Sequence, residues 1–173
     1  MDASTSWGIG GCAGPFYFSV SNKDLEGIFA LYGRCPNKTH FEIPEHRLPI
    51  AYIELIAALV GFSLFSPKTP STLISLFSDN TDVVAWLRKS RCAAGIGFKI
   101  LAGIEFYKKK HILKISPKHI PGSDNVSADC LSRGKIPNHL RERGTRLWAD
   151  IDLLIRLIQQ PLMFWDGLNQ STN

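Results

Sequence analysis

The sequence predicts an α/β fold in which a mixed sheet carries helices packed on it. Two observations predict this. Strand-like runs come early, and strand-like and helix-like runs then alternate, which is the order a layered sheet-and-helix domain produces. The composition supplies a core for such layers: 173 residues with 45% apolar and 20% charged side chains belong to a globular chain, not to a disordered one. There is no internal repeat and no low-complexity tract.

Each element has its own signal. The segment from Trp7 to Gly14 is rich in glycine, with a turn around Trp7-Gly8. A dinucleotide-binding loop is set aside there, because Ala13 holds the third glycine's place and no strand precedes the run. Phe16 to Val20 is a strand by its aromatic and β-branched content. A short helix is expected from Leu25 to Leu31 and a strand from His40 to Ile43. Pro49 suits a first helical turn, Ile50 to Phe65 follows as a helix apolar on most of its surface, and Pro67 and Pro70 stop it. Leu73 to Phe77 is a β run closing at Ser78-Asp79-Asn80-Thr81. Val83 to Lys89 is a short helix with Val83, Trp86 and Leu87 on one face. Phe98 to Lys110 is a further helix, Ile112 to Ile115 a strand, His119 to Asn125 a loop, and Val126 to Ser132 one or two helical turns. Pro137 begins a separate C-terminal element, in which Trp148, Ile151, Leu154, Ile155 and Ile158 share a helical face before Pro161. The predicted organisation is a main domain over 1–134 and a C-terminal helical extension over 135–173.

Bulk properties exclude several classes. The net charge of +5 fits a polyanionic partner. The four cysteines form no Cys-x-x-Cys pair and have no histidine cluster beside them, so neither a zinc site nor a disulfide framework is expected. Met1-Asp2-Ala3-Ser4 lacks the basic and apolar regions of a signal peptide. The expected setting is reducing and intracellular, cytoplasm or nucleus, rather than secreted. Ile50 to Phe65 is shorter than a bilayer needs and contains Glu54, so a buried helix is expected there and no membrane partner.

Four acidic residues stand out, and each has two readings. Glu54 is the one charged side chain between Ile50 and Phe65; it lies either on the solvent edge of its helix or inside with a partner, because an unpaired buried charge is costly. Asp79 ends an apolar strand, where ligand crevices form in α/β proteins, yet Asp also caps helices, as Asn80 or Thr81 equally would. Asp129, in the first turn of a short helix, suits the helix dipole as well as a site. Asp2 alone carries little information.

The neighbours of these four change their meaning. Asp2-Ala3-Ser4 precedes Trp7-Gly8, and Glu54 sits in Glu54-Leu55-Ile56-Ala57. Asp79 sits in Ser78-Asp79-Asn80. Asp129 sits in His119-Ile120-Pro121-Gly122-Ser123-Asp124-Asn125-Val126-Ser127-Ala128-Asp129-Cys130-Leu131-Ser132-Arg133. This order, from Asp2 to Arg133, resembles the ribonuclease H domain of reverse transcriptases from long-terminal-repeat and DIRS-like retroelements. The closing motif is long and specific; the other three are short.

The resemblance implies a ribonuclease H-like, mixed five-stranded sheet with flanking helices. Only Met1 precedes Asp2, where the family has several residues, so a truncated first strand is expected, followed at the other end by the extra C-terminal helix. The resemblance also implies an endonuclease for the RNA strand of an RNA/DNA hybrid. Asp2, Glu54, Asp79 and Asp129 would hold two Mg²⁺ ions, with Mn²⁺ as a substitute, and hard oxygen ligands suit such ions. His119 would move protons, although a surface or packing role is the plainer reading of a lone histidine. Ser4, Asn80 and Asn125 would face the substrate, the two amides towards a 2′-hydroxyl or a phosphate, unless they only cap and turn. Lys108, Lys109 and Lys110 would touch the DNA strand or simply complement a helix C-terminus. A polymerase domain would be the partner if the chain belongs to a polyprotein. Two rivals keep the fold: a catalytically silent nucleic-acid-binding or structural module, and a DNA strand-transfer enzyme, for which the closing motif is atypical.

Overall fold

The computed structural model describes residues 1–31, 48–66, 73–92 and 95–159, with the side chains of 95 and 96 left aside. The expected strand from His40 to Ile43 and the stop at Pro161 lie outside these residues. The described elements run in the order β1 (Asp2–Ala3), β2 (Gly8–Ala13), β3 (Phe16–Ser21), α1 (Glu26–Ala30), α2 (Ile50–Phe65), β4 (Leu73–Ser78), α3 (Thr81–Lys89), α4 (Gly95–Lys110), β5 (Lys114–His119), α5 (Val126–Ser132), α6 (Asn138–Arg143) and β6 (Thr145–Arg146). A further helix, α7, occupies residues 151–159.

The fold is mixed α/β, as predicted. β1, β2 and β3 pair antiparallel, and β6 joins the far edge of β3 in parallel, giving the order β1-β2-β3-β6. β4 and β5 form a separate parallel pair. The expected single five-stranded sheet is therefore corrected to six described strands in two ladders. β1, two residues long, pairs with β2 and, among the described residues, not with β4; the Met1 amino group donates across the two ladders to the Phe77 carbonyl at 2.8 Å.

Helix α2 is the centre of the molecule. Its residues from Ile53 to Phe62 are all buried, on every face of the helix; a helix apolar all round belongs inside a core. It packs against β1, β2, α3 and α4. Tyr52 of α2 stacks on Trp86 of α3 at 5.4 Å between ring centroids, while Val83 and Leu87 turn into the core, as their spacing predicts. Among the described residues no helix is long and apolar enough to cross a membrane.

Three local readings are corrected. The turn expected around Trp7-Gly8 gives way at Gly8 to strand β2, which takes up most of the glycine-rich stretch, and a turn follows at Gly14 and Pro15, where the Gly14 φ of +58° favours glycine. The strand expected at Ile112 to Ile115 begins at Lys114 and runs to His119. Ile112 has a left-handed φ of 53° in the turn that leaves α4, and the Leu113 amide bonds back to the Lys108 carbonyl at 2.9 Å. The region after residue 134 is not wholly helical, since it contributes β6. Its described part packs onto the rest of the chain. Leu140 joins Tyr17 and Leu131 in one apolar cluster, and Leu154, Leu157 and Ile158 join the main core.

Candidate metal centre

Asp2, Glu54 and Asp79 come from a strand, a helix and a strand end, and one carboxylate oxygen of each lies within 4.8 Å of the others. Burial is deep for two of them, since Asp2 and Glu54 are each 7% exposed. Such a set of hard oxygen donors can hold a metal ion.

Glu54 projects from α2 towards the end of β4. It accepts hydrogen bonds from Ser78 Oγ at 3.0 Å and from Asn80 Nδ2 at 3.2 Å. The buried reading of Glu54 is thus the correct one, and the partners that burial requires are present. Burial pushes its carboxyl up to about 7; the Asn80 and Ser78 hydrogen bonds oppose the shift, and the charges of Asp2 and Asp79 add to it.

Asp79 follows β4 directly, and its helix-capping reading is excluded. Asn80 caps α3 instead, its Oδ1 accepting from the Asp82 and Val83 amides at 3.0 and 3.3 Å. That frees the Asp79 carboxylate, which accepts from Asn125 Nδ2 at 3.2 Å. The same Asn125 amide reaches the Met1 carbonyl at 3.2 Å, and so ties the closing loop to both β1 and the end of β4.

Asp2 is placed by its pairing with Gly10. A Cβ on Gly10 would lie 2.5 Å from Leu131 and from the Ser132 amide nitrogen. Only a glycine lets α5 lie this close to β2. The approach brings Ser132 Oγ to Asp2 Oδ2 at 2.5 Å, and Ser19 Oγ anchors the same helix through the Leu131 carbonyl at 2.7 Å. Burial raises the Asp2 carboxyl against the Ser132 hydrogen bond, and the charges of Asp79 and Asp129 raise it further.

Asp129 does not join the three. It lies close enough to bear on Asp2 electrostatically, but its carboxylate pairs with Arg133 at 2.7 Å and is 43% exposed. The other expected site residues are placed as follows. His119 is exposed at the end of β5, in register with Ser78. Asn80 borders the cluster, with its amide engaged by Glu54 and the α3 cap. Asn125 is buried, with its amide engaged by Met1 and Asp79. Ser4 is buried too, its hydroxyl within 2.9 Å of Ser6 Oγ, and it shapes the turn between β1 and β2 rather than facing outward. Lys108 pairs with Glu105 at 2.6 Å, while Lys109 and Lys110 are exposed at the end of α4. Sequence reasoning missed Ser78 and Ser132 as supports of the carboxylates. The signal available was their position beside Asp79 and in the turn after Asp129.

The cluster passes a chemical test for a divalent cation. Two of its three carboxyls are raised, first by burial and then by the charges of neighbouring carboxylates, Asp79 and Asp129 for Asp2 and Asp2 and Asp79 for Glu54, and a cation removes that repulsion. Nothing among family models, curated proteins or solved structures matches this chain.

Proposed function

We propose that the chain is a ribonuclease H-type endonuclease that hydrolyses the RNA strand of an RNA/DNA hybrid with Mg²⁺ or Mn²⁺, as part of a retroelement reverse transcriptase. The observation that carries this reading is the convergence of Asp2, Glu54 and Asp79 within 4.8 Å from three separate elements. When bound, two such ions would activate a water and stabilise the leaving 3′-oxygen.

The residues divide the remaining work. Asp2, Glu54 and Asp79 supply the negative oxygens. Ser78, Asn80, Ser132 and Asn125 fix their orientation, which matters because a misplacement of ~1 Å can cost ~100-fold in rate. Asp129 would help hold a second ion if it turned from Arg133; that pair is exposed and screened by solvent, so it is weak. His119 lies exposed beside the site and accepts or delivers protons at its edge.

A second reading, a catalytically silent nucleic-acid-binding module, draws support from the engagement of Asp129 by Arg133 outside the cluster. One assay separates them. A labelled hybrid is incubated with Mg²⁺, with excess chelator, and with the Asp79→Asn variant, which keeps the shape and removes the charge. The nuclease reading expects cleavage of the RNA strand only in the first case. Cleavage that survives chelator or Asp79→Asn rejects the metal mechanism, and none with Mg²⁺ and the wild-type chain favours the silent module.

A further inference from the structure

The surface formed by α6, β6 and Trp148 plays no part in the carboxylate site, yet it has an unusual make-up. Trp148 is 74% exposed, the most exposed of the large apolar side chains among the described residues. One face of its ring carries the Arg146 guanidinium, 4.1 Å from the centroid. Arg146 is itself held, because its Nη2 donates to the Ser19 carbonyl at 2.9 Å. The pair is therefore fixed to the sheet by β6, and most of the indole stays exposed to solvent with Arg146 on it. Phe16, 45% exposed, stands in register with Thr145 beside it.

From Gly134 to Trp148 the charge is mostly positive, with the exposed Asp150 two residues further on. Lys135, Arg141, Arg143 and Arg146 are all exposed, and Glu142 is the one acidic residue between Gly134 and Trp148. Leu140 anchors α6 in a small cluster with Tyr17 and Leu131, so these cations sit on an ordered element. A helix that serves only as a solvated surface has no need of a fixed, exposed indole at its end.

We propose that this surface binds single-stranded nucleic acid, with an unpaired base stacked on Trp148 and phosphates on Arg141, Arg143 and Arg146. Flat aromatic rings stack on any base, and neighbouring cations track the backbone. The location suits a strand leaving the carboxylate site. In the order β1-β2-β3-β6, three strand spacings separate Asp2's strand from β6, roughly 14 Å at about 4.8 Å each. A strand with one phosphate per ~3.4 Å covers that span in about four nucleotides. The ligand is then the single-stranded tail of a hybrid whose duplex lies at the carboxylates. The choice of a tailed hybrid rests on the nuclease reading; the binding itself does not.

The test measures binding in chelator, so that cleavage plays no role. Fluorescence anisotropy follows the full chain with a blunt hybrid and with the same hybrid carrying a single-stranded 5′ or 3′ tail. Trp148→Ala should weaken binding of one tailed probe roughly 5- to 150-fold, the span of base–aromatic stacking, and leave the blunt probe unchanged. Trp148→Phe should recover most of the loss. Replacing Arg141 and Arg143 together by Ala should reduce the slope of log affinity against log salt by roughly 1.4, two phosphate contacts on a single strand. All three residues are exposed, and an unchanged unfolding midpoint confirms that the variants fold. Equal affinity of Trp148→Ala and wild type for both tailed probes overturns the proposal. So does an absence of salt-sensitive binding to any tailed probe, which would leave the basic face to an acidic protein. If Trp148→Ala weakens tail binding while the wild type cleaves no hybrid in Mg²⁺, the surface stands and the nuclease reading falls.

Discussion

Glu54 shows how one side chain ties stability to the site. It is 7% exposed inside the core helix and its carboxyl is pushed up to about 7 from an ordinary 4.5, with Ser78 and Asn80 donating to it and Asp2 and Asp79 facing it. A carboxyl raised in the folded state holds its proton more tightly there than in the unfolded chain. Its favourable contribution is thus complete below about pH 4.5 and is lost as the pH rises through about 7. A shift of that size corresponds to about 3 kcal/mol, and Asp2 is shifted the same way. In chelator, the unfolding free energy of the wild type should therefore fall between pH 5 and 8, and Glu54→Gln should remove most of that fall. Divalent cation added at pH 8 should restore stability, because an ion that binds only the folded chain stabilises it. A wild-type pH slope in Glu54→Gln would assign the titration to another group. Sequence reasoning reached Glu54 and Asp79 because a lone acid in an apolar helix and an acid at a strand end are visible anomalies, whereas Asp2 is reached only through the resemblance of its motif. It could not decide between Asp79 and Asn80 as the cap of α3, since both types cap equally well. Nor could it foresee that Asp129 pairs with Arg133, because an ion pair four residues apart on a helix competes with any site the acid might join.

The elements that escaped sequence reasoning are the ones whose residues were chosen for closeness rather than for their own side chains. β2 reads Gly-Ile-Gly-Gly-Cys-Ala, with little of the β-branched content that marks a strand, so its own residues predict none. Its identity comes from its neighbours: β1 and β3 pair on either side, and α5 rests on Gly10. β6 is two residues long and offers no period to read. By contrast α2, α3 and α5 were legible, because long apolar content, a one-sided face and a specific closing motif each speak locally. The role of Gly10 can be tested directly. A methyl group there meets Leu131 and Ser132 at 2.5 Å, so α5 must move away from β2. Overpacking of this kind costs typically 1–3 kcal/mol. Gly10→Ala should lower the urea midpoint accordingly, and should also reduce hybrid cleavage by drawing Ser132 away from Asp2. A Gly10→Ala chain as stable as the wild type would show that the α5–β2 approach is not tight in solution.

On the scale of the whole molecule, the two ladders are held together by α2 and by a small hinge of polar bonds, not by a continuous sheet. α2 packs on β1 and β2 on one side and reaches the end of β4 through Glu54. Asn125 links Met1 to Asp79, and the Met1 amino group meets the Phe77 carbonyl. Sequence reasoning saw the strands but not this division, because strand partners depend on contacts between distant residues and no local period records them. Among the described residues β4 pairs with β5 alone, so the edge that faces β1 keeps most of its backbone groups out of any ladder. Half of β4's residues are exposed, so solvent rather than a strand serves such groups there. The Met1–Phe77 bond fixes where a longer β1 would lie, since residues placed before Met1 would run along that edge of β4. A chain extended at its N-terminus by several apolar, β-prone residues should therefore join the two ladders into one sheet. It should also hold Asp2 more firmly, because a residue beside a chain end frays unless tied into a sheet. The expected outcome is a higher melting temperature together with faster hybrid cleavage than the 173-residue chain gives. A rise in melting temperature alone would mean that Asp2 is already ordered, held by Ser132 and its pairing with Gly10. No change in either measurement would show that α2 and the Asn125 bonds suffice to hold β4 in place, and that the edge facing β1 needs no strand.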